Sequence, residues 1–130
     1  MKMYIFNEHG TFGNRTVAVP SDRIACIYTR IDTDKMETTL VIHTEEEEDP
    51  FCLKMIIIDP ESIEKIVGND LIRFNAKTDD GYFYTLFVNK KYVKCISAME
   101  NSSYTIISIC GTKKFTLYHS IDDVIKAMNN

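Results

Sequence analysis

The chain has no tryptophan, and only 3 prolines and 5 glycines among its 130 residues. That scarcity excludes collagen-like chains and glycine- or proline-rich linkers, which are far richer in both. Long apolar stretches are missing as well: Met55–Ile58 is a run of 4, well short of the roughly 20 residues of a membrane-spanning helix. Met1–Asn7 lacks the apolar core and small-residue cleavage site of a secretory leader, which predicts a cytoplasmic chain with no membrane partner.

The 4 cysteines, Cys26, Cys52, Cys95 and Cys110, show neither C-x-x-C spacing nor a nearby histidine pair, so no zinc site is expected. A disulfide framework needs an oxidising compartment, and nothing here points to one. Each cysteine sits in an apolar run, where a free thiol behaves as a small hydrophobe, and all are predicted to be buried. Phosphate-cradling glycine loops, G-x-S-x-G, H-E-x-x-H and acidic calcium loops do not occur. The 3 histidines, His9, His43 and His119, are far apart in sequence. No acid, base and nucleophile set can be assembled from these residues, so the expectation is a non-enzyme without catalytic, metal-binding or cofactor-binding residues.

What is present is a composition 45% hydrophobic and 26% charged, that of a chain able to bury a core. Self-similarity runs through it. Val19-Pro-Ser-Asp-Arg-Ile24-Ala-Cys26-Ile27 aligns with Val88-Asn-Lys-Lys-Tyr-Val93-Lys-Cys95-Ile96 at an offset of 69, and Phe6-Asn7 with Phe74-Asn75 at 68. Thr39-Leu40-Val41 then aligns with Thr105-Ile106-Ile107 at 66, and Ser62-Ile63-Glu64 with Ser120-Ile121-Asp122 at 58. The order of matches never breaks, which predicts two repeated units, 1–68 and 69–130. The drop from 66 to 58 places 8 extra residues in the first unit, in a stretch that holds a Glu-rich loop over 45–50. Under this alignment Cys26 and Cys95, Ile27 and Ile96, and Ile63 and Ile121 are expected at equivalent buried positions.

Alternation and turn chemistry predict an α+β fold, mostly β, in which each unit has about five antiparallel strands followed by a short C-terminal helix. The first unit's strands are expected near Met3–Asn7, Thr16–Val19, Ile24–Ile31, Thr38–Thr44 and Phe51–Ile58, with a helix at Pro60–Val67. The second unit's are expected near Leu71–Ala76, Tyr82–Val88, Val93–Met99, Tyr104–Cys110 and Lys113–Tyr118, with a helix at Ile121–Met128. Gly10 to Gly13, Asp80-Gly81 and Cys110-Gly111-Thr112 are turn signals. Asp59 before Pro60, and Ser120 with Asp123 three residues on, are helix starts, and Gly68 is a stop. Ile121, Val124, Ile125 and Met128 form one apolar stripe that needs a partner surface.

Charge is divided unevenly. Residues 1–68 carry 7 Lys+Arg against 13 Asp+Glu, and residues 69–130 carry 8 against 6. Two candidate interaction sets follow: the acidic run Glu45, Glu46, Glu47, Glu48 and Asp49, and the basic set Lys90, Lys91, Lys94, Lys113 and Lys114. Solvated-loop charge and edge-strand protection are the plain readings of these sets. Contact with a partner is the functional one.

The pattern Gly81…Phe87-Val-Asn89…Val93…Ile96…Thr105-Ile106…Gly111…Phe115…Ser120…Val124-Ile125 resembles the short FlbD-like family, so the chain looks like a tandem of FlbD-like units. That resemblance implies a small accessory protein without known catalysis, of a kind also found in phages and mobile elements. Residues 20–128 are also loosely similar to the LytTR-type DNA-binding domain, through Val88-Asn89 and Val93…Ile96. The basic stretch preceding that strand in LytTR domains has no counterpart in Leu71–Phe87. The leading expectation is a non-catalytic protein-interaction or assembly module, with a protein partner or with itself as a homo-oligomer. The alternatives are a nucleic-acid-associated regulator using the lysines, and a protein that sequesters a small ligand at the seam between the units.

Overall fold

The computed structural model describes residues 2–10, 13–32, 34, 37–45, 49–55, 59–110 and 113–130. Among them the order is β1 (Met3–Gly10), β2 (Gly13–Pro20), a 3-10 turn (Ser21–Arg23), β3 (Ile24–Asp32), β4 (Glu37–Thr44), β5 (Phe51–Met55) and α1 (Pro60–Val67). It continues with β6 (Ile72–Lys77), β7 (Phe83–Val88), a 3-10 turn (Lys90–Tyr92), β8 (Val93–Ser97), β9 (Thr105–Ile109), β10 (Lys113–Leu117) and α2 (Ile121–Met128). The fold is mostly β, every strand pair is antiparallel, and both helices span the residues expected of them.

The helix ends follow from their caps. Asp59 Oδ1 accepts from Ser62 N at 2.8 Å with Pro60 in the first turn, and Ser120 Oγ accepts from Asp123 N at 3.2 Å. These bonds satisfy amide donors that a helix start leaves without intrahelical partners. Gly68, at φ 59°, closes α1 in a conformation that costs a side-chain-bearing residue energy. The caps also set the rotational phase, so the fourth residue of each helix, Ile63 and Val124, is fully buried, joined in α1 by Val67 one turn on. The expected stripe on α2 is therefore only partly covered: Ile121 and Met128 are half-buried and Ile125 is exposed. Ile63 and Ile121 are not equivalent, because Ile121 stands three positions earlier in its helix than Ile63 does.

Eight strands form one open sheet in the order β5-β4-β3-β7-β6-β10-β9-β8, and β1-β2 is a separate hairpin. The two halves of the chain meet in that sheet through the β3–β7 pairing, with Cys26 opposite Val88, Ile27 opposite Phe87 and Tyr28 opposite Leu86. Asn89 extends the seam: its N–H donates to Ala25 O at 2.9 Å and its Nδ2 to Ile24 O at 3.0 Å. Side chains alternate across a strand, so the seam feeds two cores. Ile24, Ile27 and Phe87 join Tyr4, Leu40, Ile42, Ile63 and Val67 in one, while Ala25, Cys26, Leu86 and Val88 join Phe74, Ile107, Ile109, Leu117 and Val124 in the other.

The hairpin lies beside β5, where Glu8 Oε2 accepts from Lys54 N at 3.1 Å. Its start is clipped to the chain after α1: Asp70 Oδ2 takes Lys2 Nζ and Tyr4 Oη, each at 2.9 Å. Both contacts favour ionised Asp70 and hold its carboxyl below the usual range, while burial and then Asp70 push the Tyr4 phenol up. β3 and β8 each carry a bulge in the same place, between Ile24 and Cys26 and between Val93 and Cys95. No helix among the described residues is long and apolar enough to cross a membrane.

Burial corrects the cysteine expectation. Only Cys26 is buried; Cys52 and Cys95 are exposed and Cys110 is intermediate. Ile96 is half-buried where Ile27 is fully buried. The cause is strand position. At Cys26 and Ile27, β3 is buried on both faces and paired with β4 and β7, whereas β8 is an outer strand.

Candidate functional site

The acidic run does not converge on anything the structure describes. Glu45 and Asp49 are exposed, and Glu46, Glu47 and Glu48 lie outside the described residues. Glu45 N donates to Arg23 O at 3.1 Å, and its Oε2 lies 3.1 Å from Tyr92 Oη, whose hydroxyl also donates toward the Asp22 carbonyl. Burial and the Glu45 carboxylate both raise the Tyr92 phenol, which keeps it a neutral donor.

The lysines separate into two groups. Lys90, Lys91 and Lys94 sit together on the second 3-10 turn and β8, with Lys90 Nζ donating to Asn130 O at 3.1 Å and Lys91 Nζ 5.3 Å from the Tyr92 ring centre. Lys113 and Lys114 are neighbours on β10 and point to opposite faces of the sheet. The Lys113 charge acts electrostatically on both Cys26 and His43.

Around His43 the fold gathers a cluster that sequence reading missed. The Tyr28 ring stacks on His43 at 5.7 Å and lies 5.4 Å from Tyr84 and 5.8 Å from Phe115, which meets His43 edge-on at 6.2 Å. These residues come from β3, β4, β7 and β10. For β10 to meet β3 across two intervening strands, the sheet must curl. His43 is 5% exposed, and its Nδ1 has no hydrogen-bond partner. Burial, with the Lys113 charge second, lowers its pKa to about 4, so the ring is neutral at pH 7. Desolvation also pushes Tyr84 to about 12 and raises Cys26. A neutral imidazole among neutral phenols and a protonated thiol is poorly suited to proton transfer or attack at pH 7. The only signal in the sequence was the apolar setting of His43, next to Val41-Ile42.

His9 and His119 serve local structure. His9 Nδ1 lies 3.1 Å from Asn14 Oδ1 across the β1–β2 turn, and His119 Nε2 accepts from Asn75 N at 2.9 Å. Among the described residues, no group of three or more His, Cys, Asp or Glu side chains is placed to hold a metal ion.

The remaining feature is the strand edges. Among the described residues β1, β2, β5 and β8 each pair on one side alone; β1 and β5 lie beside each other, with Glu8 bonded to Lys54 N, which leaves the outer edges of β2 and β8. Beside β2 runs a groove of about 270 Å³ lined by Val17, Ala18, Val19, Pro20, Arg23, Thr44 and Phe51. Phe51 is 49% exposed there. At the β3–β7 seam, Cys26, Ile27, Leu86, Phe87 and Val88 are fully buried. Compared with known proteins, the chain matches no family model, no curated protein and no solved structure.

Proposed function

We propose that the chain is a non-catalytic protein-interaction module of two like-built units, residues 1–68 and 69–130, which self-associates through its unpaired strand edges. The observation that carries this is the outer edges of β2 and β8, the two that no other described strand lies beside, with an apolar groove along one of them. An outer strand with free N–H and C=O groups is a template for another strand.

Three features support the two-unit reading. The element order strand, strand, 3-10 turn, three strands, helix occurs twice; both third strands bulge after their first residue; and both helices start at a side-chain cap. Aligning the caps pairs Ile63 with Val124 and Val67 with Met128, all facing a core. The offset at the helices is then 61 rather than 58, so the drop from 66 places 5 extra residues in the first unit instead of 8. The units differ in sheet membership: β6 and β7 belong to the main sheet, whereas β1 and β2 stand apart.

Sedimentation velocity across protein concentration, at low and high salt, tests the module. Mass that rises with concentration supports it, and a monomer throughout removes it. A second reading, nucleic-acid association, draws on the grouping of Lys90, Lys91 and Lys94. Binding of a labelled duplex whose logarithmic affinity falls linearly with logarithmic salt, in a chain that stays monomeric, would favour that reading instead.

A further inference from the structure

We infer that β8 of one copy docks along β2 of a second copy in the geometry that β3 already has along β7 within the chain. This rests on the two-unit reading and specifies the contact through which the module associates. At the offset of 69, β7 corresponds to β2 and the start of β3 to β8. The observed seam pairs Cys26 with Val88, Ile27 with Phe87 and Tyr28 with Leu86. The corresponding contact pairs Cys95 with Val19, Ile96 with Ala18 and Ser97 with Val17.

The backbone is available on both sides. Ser21 N donates to Lys2 O at 2.9 Å, and bonding alternates along a strand, so Val17 and Val19 bond to β1 while Thr16 and Ala18 turn their polar groups outward. Ala18 is exposed, as are Lys94 and Cys95 on β8. In the seam, Asn89 N bonding to Ala25 O marks Ala25 and Ile27 as the residues that reach across. Lys94 and Ile96 hold those positions on β8.

The groove is the space this strand would fill. Ile27 pairs with Ile42 and Ile96 with Ile107, so the strand register sets Ile42 against Ile107, one residue from the sequence match of Val41; Phe51 pairs with Ile42 as Phe115 pairs with Ile107, so the two phenylalanines correspond. Phe115 is covered by Tyr28 of β3, 5.8 Å away. Phe51 has no such cover and is 49% exposed. Charge selects the occupant: Lys94 replaces Ala25 and approaches the neighbour's groove end, where the exposed acids Asp22 and Glu45 adjoin the lining residues Arg23 and Thr44. Pro20 stands where Asn89 does and has no N–H to donate, which makes this contact weaker than the built-in seam and therefore reversible. Because β2 and β8 are different surfaces, the contact is heterologous. It grows into a ring or filament, or closes as a pair in which each copy gives both edges.

In a Cys52→Ser background, Val19→Cys places a thiol opposite Cys95 of the next copy in a non-hydrogen-bonded pair, the closer of the two antiparallel spacings. Mild oxidation should give disulfide-linked dimers and higher species on a non-reducing gel, lost when Cys95→Ser is added. Ala18→Pro removes one outward N–H from an exposed edge position, which such strands tolerate, and should weaken association at least fivefold in sedimentation. Pro20→Asn supplies the missing donor and should tighten it roughly fivefold. Association that persists with no crosslink and no response to Ala18→Pro or Pro20→Asn overturns this contact and leaves the module standing. A monomer at every concentration overturns both. A disulfide formed within one chain overturns the second copy as occupant and shows β8 closing on its own β2.

Discussion

Replacing His43 with Phe should flatten the stability of this protein between pH 6.5 and pH 4. In the native state the ring is 5% exposed, with Nδ1 unpaired and Lys113 nearby, and its pKa falls from 6.5 to about 4. The unfolded chain exposes the ring and takes up a proton near pH 6.5, while the folded chain resists it. Stability is therefore complete above pH 6.5 and is lost progressively as pH falls toward 4, below which both states are protonated. At about 1.4 kcal/mol per pH unit, that window amounts to about 3 kcal/mol, a large share of the 5–15 kcal/mol typical of a small domain. The carboxylates of Glu8 and Asp70, whose pKa values are lowered by their partners, lose their contribution as pH falls through those depressed values, at the acid end of this window and below it. Urea unfolding at several pH values, followed by circular dichroism on wild type and His43→Phe, separates the two effects. Wild type should lose about 3 kcal/mol more than the variant between pH 7 and pH 4. Parallel stability curves for the two proteins would refute the buried, neutral histidine.

Three further outcomes can be checked directly. Val124→Asp places an unpaired charge in the second core and should cost more than about 4 kcal/mol, whereas Ile125→Asp, at a site 43% exposed, should cost less than about 1 kcal/mol; thermal melts would separate the two. Asn89→Ala removes the amide that bonds Ile24 O and Lys91 N and should cost about 1–3 kcal/mol, with faster amide exchange concentrated in the first residues of β3. A thiol reagent should modify Cys52 and Cys95 at once and Cys110 more slowly. It should reach Cys26, buried and raised in pKa, only on unfolding.

The strands were legible because their signals are local. Alternating side chains and turn residues such as Asp80-Gly81 mark where a strand runs, and Asp59 and Ser120 mark where a helix begins. Burial was less legible, because it depends on what lies across from a strand. Cys26 and Cys95 sit in nearly the same local sequence, and one is buried while the other is exposed. The helix alignment failed for a related reason. Matching Ser62 to Ser120 treated two serines as equivalent, when the cap is Asp59 in one helix and Ser120 in the other. The His43 cluster was invisible, since it draws on four strands brought together only by curling of the sheet.

On the proposed two-unit reading, one sequence difference accounts for much of the asymmetry between the halves. Where β7 ends, Asn89 contributes a backbone N–H to Ala25, a side-chain N–H to Ile24 and a side-chain oxygen that accepts from Lys91 N. Together these fasten β7 to β3 and shape the 3-10 turn between β7 and β8. Where β2 ends, Pro20 has no N–H and no polar side chain, and the turn that follows has no side-chain cap bond. β7 is consequently joined to β3, with Leu86, Phe87 and Val88 fully buried, while β2 keeps a free edge along which Ala18 is exposed. The seam needs donors on both strands, and the chain supplies them at one of the two corresponding places. The other is left open to solvent, with its apolar groove in place.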